Sequence, residues 1–210
     1  MTVEMPDTLP QRIYLLALDP ERGKPPVGTH LNELVRAAAL TDLYLSGHLA
    51  DEKGRAVVAV RHPCHDPVLE AVLEELASSK PRKWQHWVGR RGRQTTLAVR
   101  EQIANGGWAR VEERKILGLF PTYRMTPRDP RLRGRLRGRV SAALRDPLSR
   151  VDPVDAALVA LTEAGKLRGV LDRKAKRTHK RRLKDLAERT GPLPKALKRT
   201  LEAQNAAASA

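Results

Sequence analysis

Three segments of this chain concentrate arginine and lysine, the side chains best suited to binding anions. A guanidinium group binds phosphate oxygens through paired hydrogen bonds, and a neighbouring glycine allows the phosphate to approach the backbone closely. One such segment alone is typical of a solvated surface, whereas three in one chain favour a functional contact with an anion. The segments are RRGR at Arg90–Arg93, which follows Trp84 and Trp87, RLRGRLRGR at Arg131–Arg139, and KAKRTHKRRLK at Lys174–Lys184.

The net charge of the whole chain also favours an anionic partner. Among its 210 residues, 40 are Lys or Arg and 24 are Asp or Glu, which gives a net charge of +16. A charge of this size is typical of proteins that bind nucleic acid, an acidic membrane surface or a phosphorylated ligand. The alternative is the solvated surface of an Arg-, Ala- and Leu-rich protein from a high-GC genome, which requires no partner.

Residue patterns typical of catalysis and metal binding are weak. The six histidines do not form i, i+4 pairs with a glutamate between them. His62, Cys64 and His65 lie close in sequence, but no further ligands are near to complete a zinc site. The sequence has no G-x-S-x-G motif, phosphate-binding loop or dinucleotide fingerprint. We therefore expect a protein that is not an enzyme, with no catalytic residues, no bound metal and no cofactor.

Cysteine content and hydropathy limit where the protein acts. Cys64 is the single cysteine, so no disulfide can form within one chain. The first residues lack the charged and apolar regions of a signal peptide, and no apolar stretch approaches the roughly 20 residues that span a bilayer. We expect a soluble, cytoplasmic protein, for which any contact with a membrane would be peripheral and on the inner face.

Hydrophobic periodicity predicts a mainly α protein, a single globular domain built as a helical bundle with short β-hairpins. Two short strands should flank a turn at Lys53-Gly54, and WARVEERKILGLFPTYRM should form a second hairpin. KPRKWQHWVGRRGRQ is interpreted as a basic linker, and the last residues, EAQNAAASA, are expected to fray. Helices are predicted at Leu9–Leu18, Leu31–Ser46, Asp66–Ser79, Thr95–Asn105, Arg131–Leu144, Pro153–Ala164 and Arg173–Thr190.

The second hairpin carries an apolar tip between charged shoulders. Leu117, Leu119 and Phe120 stand between Lys115 and Arg124. An apolar tip ringed by cations suits a membrane interface, where leucine and phenylalanine enter the acyl boundary and the cations meet anionic headgroups. We therefore predict that these three apolar residues form a membrane-inserting loop. The alternative is that the tip packs on the helical core or on another subunit.

Three blocks of sequence resemble the Golgi phosphoprotein 3 family, including its bacterial relatives. They are LLALDPERG, LVRAAALTDLYLSGHL and VEERKILGLFPTYR, and their order and spacing match over roughly residues 10–190. Each block alone has low specificity, and the specificity lies in their combination. The resemblance implies a largely helical single domain with a central bundle and short hairpins. It predicts an N-terminal tail at 1–9, the domain at 10–190, and a C-terminal helix with a frayed tail at 191–210.

The resemblance also implies a function, since eukaryotic members of the family are peripheral membrane proteins that bind phosphatidylinositol 4-phosphate. In that family a basic pocket holds the headgroup, a nearby hydrophobic β-loop enters the bilayer, and the cytoplasmic tails of Golgi enzymes are protein partners. A bacterial chain has no Golgi, so the sorting role is not carried over. For this chain the resemblance implies peripheral binding of an anionic, phosphoinositide-like phospholipid headgroup.

By position, the resemblance assigns headgroup binding to Arg36 and Arg93. Arg90, Arg91 or Arg100 would replace an arginine that the family has later in the same helix and that this chain lacks. The family's pocket tryptophan is also missing, which leaves the identity of the phosphoinositide open. We take Arg90 and Arg91 as the replacements, and we predict that Arg36 lies close to the other three on one face.

Two functions of other classes stay open. The first is a nucleic-acid-binding protein with winged-helix-like units, because helices followed by hairpins resemble such units and the net charge suits DNA. Against it, aromatic residues make up only 3% of the chain, and no helix combines Arg or Lys with Asn or Gln on one base-reading face. The second is a scaffold that binds a partner protein or a second copy of itself.

Overall fold

The computed structural model describes residues 5–116 and 120–209, with side chains throughout except at 113–116 and 120–122. Within these ranges the chain is mainly helical, with two small antiparallel sheets, as predicted. The helices are α1 Leu9–Ala17, α2 Leu31–Leu45, α3 Pro67–Ala77, α4 Trp84–Gly89, α5 Gly92–Asn105, α6 Leu132–Arg145, α7 Pro153–Ala164, α8 Arg173–Thr178, α9 Lys180–Arg189 and α10 Leu193–Ala208. The strands are β1 Leu49–Glu52, β2 Arg55–Val58, β3 Arg82–Lys83, β4 Ala109–Ile116 and β5 Phe120–Pro127.

Helix α2 is the centre of the bundle. It contacts α1, α3, α4, α5, α7 and α10. Its middle, from Leu34 to Leu40, is buried without interruption and includes the three small residues Ala37, Ala38 and Ala39. Small side chains let neighbouring helices approach closely, so a helix that is buried on all sides can contact many neighbours. One contiguous core around α2 confirms the prediction of a single helical domain.

Two helices begin at an aspartate whose side chain caps the first turn. Asp66 caps α3, since its Oδ1 accepts from the backbone N–H groups of Val68 and Leu69 at 2.9 Å each. Pro67 occupies the first turn of this helix, where no intrahelical donor is needed. Asp152 caps α7 in the same way by accepting from the N–H of Val154.

Both predicted hairpins are present. In the first, Lys53 and Gly54 have positive φ values of 51° and 78°, the combination that a type I′ turn between twisted strands requires. In the second, β4 pairs with β5 in a register that runs from Ala109 opposite Pro127 to Ile116 opposite Phe120. The tip residues 117–119 lie outside the described residues.

The segment predicted as a basic linker is instead structured, and that prediction is wrong. Strand β3 pairs with β2 and extends the first hairpin to three strands, and α4 follows at once. Trp84 and Trp87, which lie within α4, are both buried. The burial of two indole rings stabilises this short stretch, although its charge and its glycines are typical of a loop.

Two predictions at the C-terminal end are corrected. The single helix expected at Arg173–Thr190 is two helices, α8 and α9, which break at His179 with φ −103° and ψ 22°. The end expected to fray is helical through Ala208, because α10 packs on α2, α4 and α7. Leu193, Leu197 and Leu201 are buried at four-residue spacing, and the alanines that follow favour helix.

Candidate functional site

The N-terminus of α5 is docked against the N-terminus of α2 through a glycine. A Cβ atom at Gly92 would lie 2.8 Å from the carbonyl oxygen of Asn32, so a larger residue would force the two helices apart. The preceding residue, Arg91, has left-handed backbone angles of φ 51° and ψ 22°. That conformation turns the chain sharply between α4 and α5 and brings consecutive arginines to this junction.

Three arginines converge on the carboxylate of Glu75 in α3. Nη2 of Arg36 lies 2.7 Å from Oε2, Nε of Arg90 lies 2.7 Å from Oε1, and Nε of Arg91 lies 3.7 Å from Oε1. The four residues are called the Glu75 cluster below. The cluster brings Arg36 close to Arg90 and Arg91, as predicted, but Arg36 is buried behind them, so the expectation that all four arginines share one face is not met. The cluster joins α2, α3 and the α4–α5 junction.

Arg36 forms the buried side of this cluster. Its side chain is 1% exposed, and besides Glu75 it donates from Nε to the carbonyl of Trp87 and from Nη1 to Oγ1 of Thr95, both at 3.2 Å. Burial lowers the pKa of the Arg36 guanidinium, and the Glu75 carboxylate opposes that shift. All three donor nitrogens of Arg36 have protein acceptors, so the residue holds the cluster together from inside.

The outer side of the cluster is cationic and faces solvent. The side chains of Arg90 and Arg91 are 45% and 54% exposed, whereas that of Glu75 is 7% exposed. Arg93 is exposed in the first turn of α5 and has no ion pair with a described residue. One buried carboxylate therefore balances the charge of only one of three guanidinium groups, and the guanidinium of Arg93 is nearby. The local excess of positive charge favours an anion at this surface.

A groove of about 390 Å³ runs between α3 and α5 beside the cluster. One end has the charged side chains of Arg36, Glu75 and Arg91, and the other end has amide and carboxylate side chains. Its walls between the ends are apolar. The lining residues are Arg36, Pro67, Val68, Ala71, Val72, Glu75, Arg91, Gln94, Thr95, Ala98, Glu101, Gln102 and Asn105.

The base of the second hairpin is tied to the helical body. The hydroxyl groups of Tyr14 and Tyr123 lie 3.2 Å apart, and the guanidinium of Arg100 stacks over the Tyr123 ring at 4.3 Å. Burial, and then the contact with Tyr123, raises the pKa of Tyr14. Leu117 and Leu119, predicted to insert into a membrane, lie outside the described residues, as does the side chain of Phe120.

A glycine packs against the same base. The N–H of Met125 donates to the carbonyl of Gly23 at 2.8 Å. Gly23 has φ 63°, and a Cβ there would lie 2.6 Å from both Cγ of Arg124 and the carbonyl oxygen of Met125. The loop before α2 is therefore in direct contact with β5.

Several arginines of α6 and α9, which the sequence also suggested for anion binding, instead bind acceptors within the protein. Arg135 pairs with Asp129 at 2.8 Å, and Arg139 pairs with Asp155 at 2.7 Å. Arg182 of α9 donates to backbone carbonyls at the C-terminal end of α6. These cations satisfy internal acceptors, so the predicted basic segments differ in how much charge they leave for a partner.

The residues weighed for metal binding do not form a site within the described residues. In residues 5–116 and 120–209, no group of three or more His, Cys, Asp or Glu side chains could hold a metal ion. The N–H of Cys64 donates to Glu70, and burial raises the pKa of the Cys64 thiol to about 11. Across those same ranges no helix combines the length and the apolar character needed to cross a bilayer.

Glu75 is the member of this cluster that sequence reasoning missed. It lies in DPVLEAVLEELASS on the same helical face as the buried residues Val68, Val72 and Leu76. A carboxylate on an apolar face must be paired when it is buried, so its position was the available signal for a buried cation.

Comparison with protein families gives one match over nearly the whole chain. The model of the Golgi phosphoprotein 3 family (GPP34) matches residues 9–204, which run from the first residue of α1 into α10. No curated protein matches the chain.

Proposed function

The chain belongs to the Golgi phosphoprotein 3 family, and on that premise we propose that it is a peripheral membrane protein that binds an anionic, phosphoinositide-like lipid headgroup. The proposed contact surface is Arg90, Arg91 and Arg93, with Arg36 behind them. The observation that carries the proposal is the convergence of three guanidiniums on the single buried carboxylate of Glu75. Phosphatidylinositol 4-phosphate is the lipid to test first, and the role is binding rather than catalysis.

In this proposal the buried pair positions the exposed arginines. Arg36 holds Glu75 from the inside, and Glu75 in turn accepts from Nε of Arg90 at 2.7 Å. A guanidinium has five N–H donors, and the remaining donors of Arg90 and Arg91 have no acceptor among the described residues. A phosphate group would supply acceptors to both residues at once, with little loss of side-chain freedom, because Glu75 already restrains them.

Apolar contacts would add to the charge. Leu97, one turn after Arg93 in α5, is 37% exposed and offers an apolar surface beside the arginines. The hairpin tip with Leu117, Leu119 and Phe120 would enter the acyl boundary from the inner face of the membrane. Each fully buried side chain would contribute roughly 1.5–3 kcal/mol, which salt does not screen.

Vesicle sedimentation across a salt series tests the proposal. The variant Arg90→Gln/Arg91→Gln/Arg93→Gln should lose at least tenfold in affinity for vesicles with phosphatidylinositol 4-phosphate near physiological ionic strength, where the Debye length is about 8 Å. The matched control is Lys174→Gln/Arg177→Gln/Arg181→Gln, which removes the same charge elsewhere and should lose much less. Equal losses in the two variants would mean diffuse attraction and would contradict the site.

Two further variants separate the electrostatic contribution of the arginines from the apolar contribution of the hairpin tip. Arg93→Gln leaves every partner of Glu75 in place and should still weaken binding, so it tests the site even where the triple variant folds poorly by circular dichroism. Phe120→Ala should keep part of the binding at low salt and lose the salt-resistant fraction. If Phe120→Ala instead dissolves an oligomer and leaves vesicle binding unchanged, the tip is a subunit contact.

The nucleic-acid alternative is tested in the same buffers. A gel shift with duplex DNA at matched salt should give weaker binding than the lipid vesicles. Tighter binding to DNA, lost in the control variant of residues 174–181 rather than in the variant of residues 90–93, would overturn the lipid proposal.

A further inference from the structure

A second basic cavity, separate from the Glu75 cluster, lies at the side of α10. It has a volume of about 410 Å³ and is enclosed by the loop before α2, the loop after α7 and one face of α10. The residues that matter here are Gly28 and His30 from the first loop, Lys166 and Arg168 from the second, and Lys198 and Glu202 from α10. We propose that this cavity binds a small phosphate monoester.

The charges of the cavity favour a multivalent anion. Three cations, Lys166, Arg168 and Lys198, line it together with one carboxylate, that of Glu202. None of the three cations makes a hydrogen bond or ion pair through its side chain with a residue in the described ranges. Two ammonium groups and a guanidinium without protein acceptors can donate hydrogen bonds to the oxygens of a phosphate dianion. The two negative charges of that group are concentrated on a few oxygen atoms, so several cations can bind it at once.

The loop after α7, which has two of these cations, has a well-defined backbone. Leu167, between Lys166 and Arg168, is buried, and its N–H donates to the carbonyl of Thr162 at 3.0 Å. Gly165 lies against α2 so closely that a Cβ there would be 2.8 Å from Cδ1 of Leu34. The backbone on both sides of Lys166 is therefore set by the core, which fixes the points at which the two exposed side chains that flank Leu167 leave the loop.

The conformation of Lys166 belongs to the C-terminal cap of α7, where its N–H donates to the carbonyl of Glu163 at 3.1 Å. Its φ is 49°, in the left-handed region that residues with a side chain rarely adopt. Glycine would take this conformation without strain, yet the position has a lysine that lines the cavity. A left-handed residue directly after the C-cap commonly ends a helix, and here it turns the chain so that the side chain of Lys166 leaves α7 beside the cavity.

The size and the walls of the cavity indicate a small ligand rather than a polymer. Its volume lies within the range of small-molecule sites, about 300–1,000 Å³. Ala164 and Leu201 contribute apolar wall beside the cations. This combination suits a phosphate group attached to a short neutral body, such as a glycerol phosphate, in solution or at the end of a lipid.

The cavity is structurally distinct from the proposed lipid surface. It shares no lining residue with the groove beside the Glu75 cluster, and on another side of α10 Thr200 donates to the carbonyl of Gln85 in α4 at 3.4 Å. Gln204 also joins α10 to α2 by donating to Glu33 at 2.9 Å. The proposed cavity would bind its ligand whether or not the Glu75 cluster binds lipid, so the two proposals can fail separately.

Isothermal titration calorimetry of the full chain with glycerol 3-phosphate at fixed ionic strength tests the cavity. The unmodified chain should give saturable binding, which Lys166→Gln/Arg168→Gln should weaken at least tenfold and Lys198→Gln severalfold. The matched control is Lys195→Gln/Arg199→Gln, which removes two exposed cations of α10 that do not line the cavity, and it should change affinity less than twofold. Because Lys198→Gln leaves the strained loop untouched, it keeps the test valid if the double variant unfolds.

Two more arms identify the source of the phosphate. Inorganic phosphate reports the contribution of the anion alone, and vesicles that contain phosphatidic acid present a phosphate monoester on a lipid. If the cavity variants lose glycerol 3-phosphate and keep these vesicles, the ligand is a soluble ester, and if they lose both, it is a headgroup. Absence of saturable binding, or equal weakening in the cavity and control variants, would overturn the proposal.

Discussion

The Glu75 cluster and the segment 173–184 are both strongly basic, but they are organised in opposite ways. In the cluster, a buried carboxylate brings Arg36, which is 1% exposed, together with Arg90 and Arg91 from a distant part of the sequence. The segment 173–184 contains eight cations and no carboxylate. Its cations lie mostly at the surface of α8 and α9, where Lys184 pairs with Glu188 at 3.7 Å.

The difference shows that the number of cations and their preorganisation are separate properties. A run of lysines and arginines on an exposed helix attracts any polyanion, and that attraction weakens as salt rises. Arginines restrained by a buried carboxylate present donors in a fixed arrangement, which favours one shape of ligand. In the sequence the segment 173–184 is the more obvious basic feature. In the folded protein the Glu75 cluster is the surface expected to be more selective for its ligand.

Removal of the carboxylate should have the largest effect. Glu75→Ala leaves the buried guanidinium of Arg36 without its counter-charge, and the loss of one partner of a buried pair costs about 3–5 kcal/mol in the free energy of unfolding. Urea denaturation measures this loss. Glu74→Ala is the matched control, because Glu74 is the exposed neighbour on the same helix and should cost far less.

A double-mutant cycle would sharpen this result. If Arg36 and Glu75 act as a pair, Arg36→Met combined with Glu75→Gln should cost less than the two single changes added together, by about 0.5–3 kcal/mol. Additive costs would show that each residue is stabilised by its other contacts and that the cluster is not a unit.

An intermediate effect is expected where a cation of the basic segment serves the fold. Arg182→Ala removes the donors that bond to the carbonyls of Ala143 and Asp146 at 2.6–2.9 Å. Hydrogen bonds from a charged group contribute about 1.5–3 kcal/mol, so thermal unfolding should shift to a lower temperature. Arg181→Ala, at the exposed adjacent position, should leave the transition within error of the unmodified chain.

The smallest effect is expected from the exposed cations of the segment. Lys174→Gln/Arg177→Gln/Arg181→Gln should change the free energy of unfolding by no more than about 0.5 kcal/mol, because these side chains have no internal acceptors in the described part of the chain. Denaturant titration measures the free energy of unfolding of this triple variant and of Glu75→Ala under the same conditions. A loss similar to that of Glu75→Ala would mean that the segment is as organised as the cluster.

The elements with a clear period were predictable from the sequence. The apolar spacing of α2, the Asp66-Pro67 start of α3 and the Lys53-Gly54 turn each follow from local chemistry, and each is present. The stretch with Trp84 and Trp87 was not predictable in the same way. A helix of six residues is too short for a period to be recognised, and its burial depends on contacts with distant parts of the chain, such as Tyr44.

The site was predictable only in part. The resemblance brought Arg36 together with the later arginines, and the coordinates confirm that they are near one another. Composition could not indicate that Arg36 would be buried, since arginine is buried only where a partner compensates its charge. That partner, Glu75, belongs to a helix whose acidic residues look alike in sequence, and only its place on the apolar face distinguishes it from Glu74.

The contact between Gly23 and Met125 has a consequence for protein engineering. Because the loop residue and the strand interlock, with Arg124 also donating to the carbonyl of Glu21 at 2.8 Å, the second hairpin is not an exchangeable module. A chimera that imports the hairpin of another family member would have to import the matching loop together with it. A graft of β4 and β5 alone would place a foreign strand against Gly23, whose close contact depends on the present strand β5.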